Sequence, residues 1–149
     1  MPFDGFVVID ASLAFKWLVP EEHPDKAFAL ARSWDNEGTQ PAAPHLMPVE
    51  VANALLRRVV RNELTVADAT RLLQSLLATG ISLREAPRLH SRALELAVHL
   101  QQNAVYEAHY LALAEMLDCE LWTADESFYR ASRPSASNVR WLDQFDSGS

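Results

Sequence analysis

The run Phe6-Val7-Val8-Ile9 is continuously apolar and rich in β-formers, and it stops at Asp10. Such a run, with no polar alternation, suits a strand of a parallel sheet covered on both faces. A helix follows at once: Leu13, Ala14, Trp17 and Leu18 recur at helical spacing until Pro20 stops them. A strand that leads straight into a helix is the start of a crossover, the connection parallel strands require.

The same alternation continues along the chain. A second helical stretch starts near Pro24 and fades at Asn36, Glu37 and Gly38. Thr39 to Pro44 is too broken by prolines to read as a full strand, and only Ala42 and Ala43 suggest a short extended passage. From Leu46 the helical period runs to about Arg61, with Val51, Ala52, Leu55, Leu56, Val59 and Val60 on one broad apolar side. Thr65 and Asp68 resemble a capping box with the shorter acid, opening a helix through Leu72, Leu73, Leu76 and Leu77 to Gly80. Ile81 to Arg84 reads as a strand, Pro87 opens a helix to about Gln102, and another helix spans Val105 to Leu117. Leu121 to Thr123 and Val139 to Leu142 complete the strands, and Asp143 to Ser149 reads as a frayed tail. The expectation is one α/β domain over residues 1–142, a mainly parallel sheet with helices on both faces, with residues 143–149 outside it.

Composition narrows the function. With 149 residues, 49% of them hydrophobic and 22% charged, the chain has the size and mixture of a single packed domain. Uncharged stretches such as Leu72 to Leu83 fall well short of the ~20 residues that span a bilayer. No positive charge precedes Lys16, as a secretory signal would need, so a cytoplasmic location is expected. The single cysteine, Cys119, has no partner for a disulfide, and one thiol with 5 scattered histidines makes a poor zinc site. A net charge of −7 is the wrong sign for a surface that grips nucleic acid everywhere, so any such contact must be local.

Four acids stand out. Asp10 follows the first strand and Asp125 follows Leu121 to Thr123, so both belong at one rim of the sheet, where open α/β folds bind ligands. Each is also placed to cap the next helix. Glu107 opens a helix that is apolar on almost every side; a desolvated carboxylate there wants a cation, whereas an exposed one needs nothing. Glu50 leads a helix face shared with Asn53, Ala54, Arg57, Arg58 and Arg61, readable as a solvated face or as a ligand beside phosphate-binding arginines. Acids about 4 Å apart repel by ~4 kcal/mol at an effective dielectric near 20, so a cluster needs compensation. Oxygen ligands without histidine or cysteine suit a hard ion such as Mg2+ or Mn2+, which supports phosphodiester hydrolysis. His109 lies about 160 degrees around the helix from Glu107, outside that cluster. Arg57, Arg58, Arg61, Arg130 and Arg133 are the local cations available to RNA phosphates, or to ordinary solvent. The four tryptophans are spread along the chain and read as core or interface residues.

The residues carry a resemblance. Val7-Val8-Ile9-Asp10-Ala11-Ser12, Glu50 within Val49 to Leu55, Tyr106 to Ala114 around Glu107, and Leu121 to Glu126 around Asp125 together resemble a PIN domain, most similar to VapC-type ribonuclease toxins of toxin–antitoxin pairs. The resemblance covers nearly the whole chain. It implies a PIN-like three-layer fold, cleavage of RNA with Mg2+ or Mn2+, and a catalytic pocket of Asp10, Glu50, Glu107 and Asp125. Asp10, Glu107 and Asp125 would hold the metal, with Ser12 and Thr123 as supporting hydroxyls. It also implies an antitoxin partner and a homodimer, for which apolar helices such as Leu13 to Leu18 are candidate contacts. One departure stands: the family usually has aspartate where this chain has Glu107, and the extra methylene predicts a shifted or weaker metal site. A catalytically silent module that binds RNA or protein is the rival this motivates. A phospho-acceptor domain fits less well, since Asp10 is followed by Ala11-Ser12 and Ile81 to Arg84 ends without an aspartate.

Overall fold

Val8 and Ile9 of β1 (Gly5–Ile9) have no solvent exposure, as expected of a strand with neighbours on both sides and helices on both faces. The fold is described from a computed structural model over residues 5–19, 21 and 24–146. Pro20, expected to stop the first helix, and residues 147–149 of the expected tail lie outside the described residues. After β1 come α1 (Ala11–Leu18), α2 (Pro24–Glu37), β2 (Thr39–Pro44), α3 (Leu46–Val60), α4 (Val66–Leu77) and β3 (Ser82–Arg84). Then follow α5 (Pro87–His99), α6 (Tyr106–Leu117), β4 (Leu121–Thr123), α7 (Glu126–Ser132), β5 (Val139–Trp141) and a 3-10 turn over Leu142–Gln144.

The sheet order is β3-β2-β1-β4-β5, and every strand pair is parallel. The chain winds outward from β1 through β2 to β3, crosses back to β4 on the other side of β1, and continues to β5. Right-handed crossovers running in opposite directions put α1 to α4 on one face and α5 to α7 on the other. The direction reverses between β1 and β4, and at such a switch point the connections part and leave a crevice beyond the strand ends. The register Ile9↔Trp122 brings the ends of these two strands side by side. Asp10 and Asp125 therefore emerge at one lip of the sheet.

Several expectations change. Thr39–Pro44 is a complete strand between β1 and β3, not a broken loop. Pro41 is tolerated because β3 pairs only with residues 42–44, leaving the start of β2 open on that side. Gln40 closes the gap, its Nε2 donating to the carbonyls of Pro41 and Gly80, both at 2.9 Å. The apolar side of α3 is narrower than its periodicity suggests: Val51 and Leu55 are buried, whereas Leu56 and Val60 are exposed. Leu13 and Ala14 of α1 are fully buried within the protomer, so they are not free to form a dimer contact. Helix α7 was not anticipated. The chain also stays packed beyond residue 142, for Asp143 and Gln144 belong to the 3-10 turn and Phe145 sets its ring edge-on to Trp122, 5.9 Å between centroids.

Helix α6 is buried continuously from Ala108 to Ala114, because it packs on β1, β2 and β4 while α5 covers it. Asp118 ends it in the left-handed conformation at φ 51°, which favours glycine and which aspartate tolerates. Trp17, Trp34 and Trp122 meet edge to face at 6.3 and 6.4 Å. That geometry, with Trp34 buried, makes them core rather than a stacking platform. Among the described residues no helix is long and apolar enough to cross a membrane.

Candidate active site

Beyond the ends of β1 and β4 lies a cleft of about 480 Å3. Asp10, Ser12, Glu50, Glu107 and Asp125 line it, as do Asn53, Ala54, Arg57, Arg58 and Arg61 from one face of α3. The helical wheel thus locates a wall of the cleft. Arg130 is not part of that lining; it pairs with Glu126 one turn earlier on α7, at 3.2 Å, and Arg133 donates to the Ser137 carbonyl.

The expected capping roles coexist with the pocket role. Asp10 is the N-cap of α1, accepting from the Leu13 N–H at 3.0 Å, and Asp125 is the N-cap of α7, accepting from Ser127 and Phe128 at 2.9 and 3.3 Å. Capping fixes the backbone entry to each helix and so orients each carboxylate. Ser12 and Thr123 complete the support. Ser12 Oγ donates to Asp10 Oδ1 at 2.7 Å and Thr123 Oγ1 to Oδ2 at 2.5 Å, while the N–H groups of Ala124 and Asp125 donate to the same two hydroxyls at 3.0 Å. One network therefore ties the lip of β1 to the lip of β4.

Three of the four carboxyls are held above their ordinary range. Burial pushes Asp10 up to about 6, against its hydrogen bonds to Thr123, Leu13 and Ser12, and the Asp125 charge adds to the rise. Glu50, half-buried, is raised by desolvation and lowered less strongly by the Tyr110 hydroxyl and by His109. Glu107 is exposed overall, yet partial desolvation of its carboxyl raises it, and the charges of Asp125, Asp10 and Glu50 raise it further. Glu107 thus feels the other three acids across the cleft, and Asp10 feels Asp125. Among the described residues none of the four forms an ion pair with lysine or arginine.

An oxygen-only cluster of carboxylates that no ion pair neutralises suits a hard divalent cation. It is not a finished cage. Among the described residues no three of His, Cys, Asp and Glu are gathered closely enough to hold a metal as they stand. Glu107 illustrates this: its Oε2 accepts a 3.3 Å hydrogen bond from Gln102 Nε2 at the rim.

The cations differ in availability. Arg58 is engaged by Glu21 and, at 3.1 Å, by Glu63, and its guanidinium lies 5.3 Å over the Phe15 ring. Arg61 lies 3.6 Å from Glu63. Arg57 makes no ion pair among the described residues, and neither does Lys16, a cleft residue that the sequence pattern left unremarked. Tyr110 was also missed: its hydroxyl donates to Glu50 Oε1 at 2.6 Å. A hydroxyl three residues after Glu107, in an otherwise apolar helix, was the available signal. His109 is not part of the cleft lining, though near enough to act on the Glu50 charge; it donates from Nδ1 to the Val105 carbonyl at 2.7 Å and contacts His90 Nδ1 at 3.0 Å, with His90 in turn 2.9 Å from Glu85.

No family model matches the chain. It is 33% identical over 119 residues to VapC ribonuclease Mb0985 of Mycobacterium bovis, covering 80% of this chain and 85% of that one. The same figures hold for ribonuclease VapC9 of Mycobacterium tuberculosis. In fold it is similar to PAE2754 from Pyrobaculum aerophilum, with a TM-score of 0.68 and 24% identity, covering 93% of this chain and 92% of the other. FitAcB from Neisseria gonorrhoeae superposes with a TM-score of 0.58 and 17% identity, over 93% of this chain and 99% of its own. With its acidic cleft at the β1/β4 switch point and these relatives, the chain belongs to the VapC family of PIN-domain ribonucleases.

Proposed function

We propose that this protein is a Mg2+- or Mn2+-dependent endoribonuclease that acts as the toxin of a cytoplasmic toxin–antitoxin pair. The observation that carries the reading is the convergence of Asp10, Glu50, Glu107 and Asp125 on one cleft, none of them in an ion pair with lysine or arginine among the described residues, in a chain whose relatives are named ribonucleases. Asp10, Glu107 and Asp125 would hold the ion. When bound, a divalent ion supplies a water of lowered pKa and positive charge for the phosphate oxygens. Asp10, fixed through both oxygens, provides the rigid end of the site. Glu50 orients the attacking water and takes its proton. Arg57 and Lys16, the cleft cations that form no ion pair among the described residues, receive the phosphates of single-stranded RNA, and Arg58 and Arg61 stiffen the wall behind them. The proposal includes an antitoxin partner and a homodimer, for which Leu56 and Val60 on α3 offer exposed apolar surface.

A second reading, a catalytically silent PIN module, draws on Glu107, which stands at the rim in contact with Gln102. The phospho-acceptor reading is set aside, because β3 ends at Arg84 with no aspartate to accept a phosphoryl group. RNA cleavage with and without EDTA, in the wild type and in Asp10→Asn, separates the first two. The nuclease reading expects cleavage only in the metal-replete wild type; activity untouched by both changes would sink it.

A further inference from the structure

Tyr110 is 2% exposed, so its ring belongs to the core, while its hydroxyl reaches the cleft. A phenol has one proton to give, and here it goes to Glu50 Oε1. Burial and the neighbouring Glu50 carboxylate hold the phenol far above its ordinary range, opposed only in part by the Ala11 backbone. The hydroxyl is thus a permanent donor. Its bond reaches across from α6 to α3 and ties the Glu50 carboxylate to a helix that also carries Glu107. Among the described residues Glu50 makes no other hydrogen bond and no ion pair. A glutamate side chain with several free torsions is therefore anchored through a single oxygen, and its second oxygen is left unclaimed.

We infer that Tyr110 is a positioning residue, whose hydroxyl holds Glu50 in one orientation so that the free carboxylate oxygen faces the reacting water. The inference rests on the nuclease reading above. The bland account is that a buried tyrosine has merely found an acceptor for its proton. The two differ in what loss of the hydroxyl does. Positioning changes turnover through Glu50 alone, whereas simple satisfaction of a donor changes stability and leaves turnover as it was.

Tyr110→Phe keeps the ring and its packing. With a labelled single-stranded RNA and Mn2+, it is expected to lower kcat by about 10- to 100-fold, the loss of one hydrogen bond to a charged group. KM should stay within about twofold, as for an interaction realised in the transition state. Glu50→Gln should lose at least as much, and Tyr110→Phe placed on top of it should lose no more, because the two act as a unit. Wild-type kcat in Tyr110→Phe, or losses that multiply in the double variant, would overturn the inference while leaving the nuclease reading intact. A wild type that leaves the RNA whole would overturn both.

Discussion

Thr123, with no solvent exposure at the end of β4, donates its proton to Oδ2 of Asp10 at the end of β1. Parallel strands cannot share a tight turn, so this side-chain bond fixes the two lips of the switch point against each other. Thr123→Val keeps the shape and removes the donor. Above about pH 6, where Asp10 is ionised, the variant should lose about 1.5–3 kcal/mol in denaturant unfolding, and less at pH 4. An equal loss at both pH values would show that the bond does not depend on the charge of Asp10.

The raised pKa of Asp10 predicts a pH dependence. Its folded value, about 6, lies above the unfolded 3.8, so the folded state binds the proton more tightly. The resulting stabilisation is fully present below about pH 4 and is lost as pH rises through about 6. In EDTA, the stability of Asp10→Asn relative to wild type should therefore rise by about 2.4 kcal/mol between pH 4 and pH 7. Urea titrations at a series of pH values check this, and a flat difference contradicts it.

Metal should reverse that penalty. At pH 7.5, Mn2+ at about 100 times its Kd should stabilise the protein by about 2.7 kcal/mol, seen as a rise in Tm that EDTA abolishes. As Asp10 takes up its proton below about pH 6, the gain should shrink. A pH-independent gain would place the ion elsewhere.

Arginine availability predicts a difference between neighbours. Arg57→Ala should reduce the salt slope of single-stranded RNA binding by about 0.7, one phosphate contact. Arg58→Ala should leave that slope nearly unchanged and lower Tm, because Arg58 is paired with Glu21 and Glu63 and covers Phe15. Binding titrations from 50 to 200 mM salt, with thermal unfolding alongside, separate these effects; equal slopes for the two variants would refute the assignment.

The parts legible in the sequence were those governed by local periodicity. The run ending at Asp10, the apolar helix carrying Glu107, and the α3 face from Glu50 to Arg61 all depend on spacing along one element, and the structure has each in place. What escaped depends on tertiary surroundings. Pro41 can sit in a strand only because β3 is short, Phe145 is retained by Trp122, and Arg58 is neutralised by residues beyond its own helix. Tyr110 was hidden for the same reason, since its partner lies sixty positions away.

On the proposed reading, Asp10, Glu107 and Asp125 close on one divalent ion at the lip of β1 and β4. Anomalous diffraction from a crystal soaked in Mn2+ at neutral pH tests it directly. The account predicts a single strong peak with oxygens of these three residues at bonding distance. The carboxylates pointing apart around an empty cleft would contradict it.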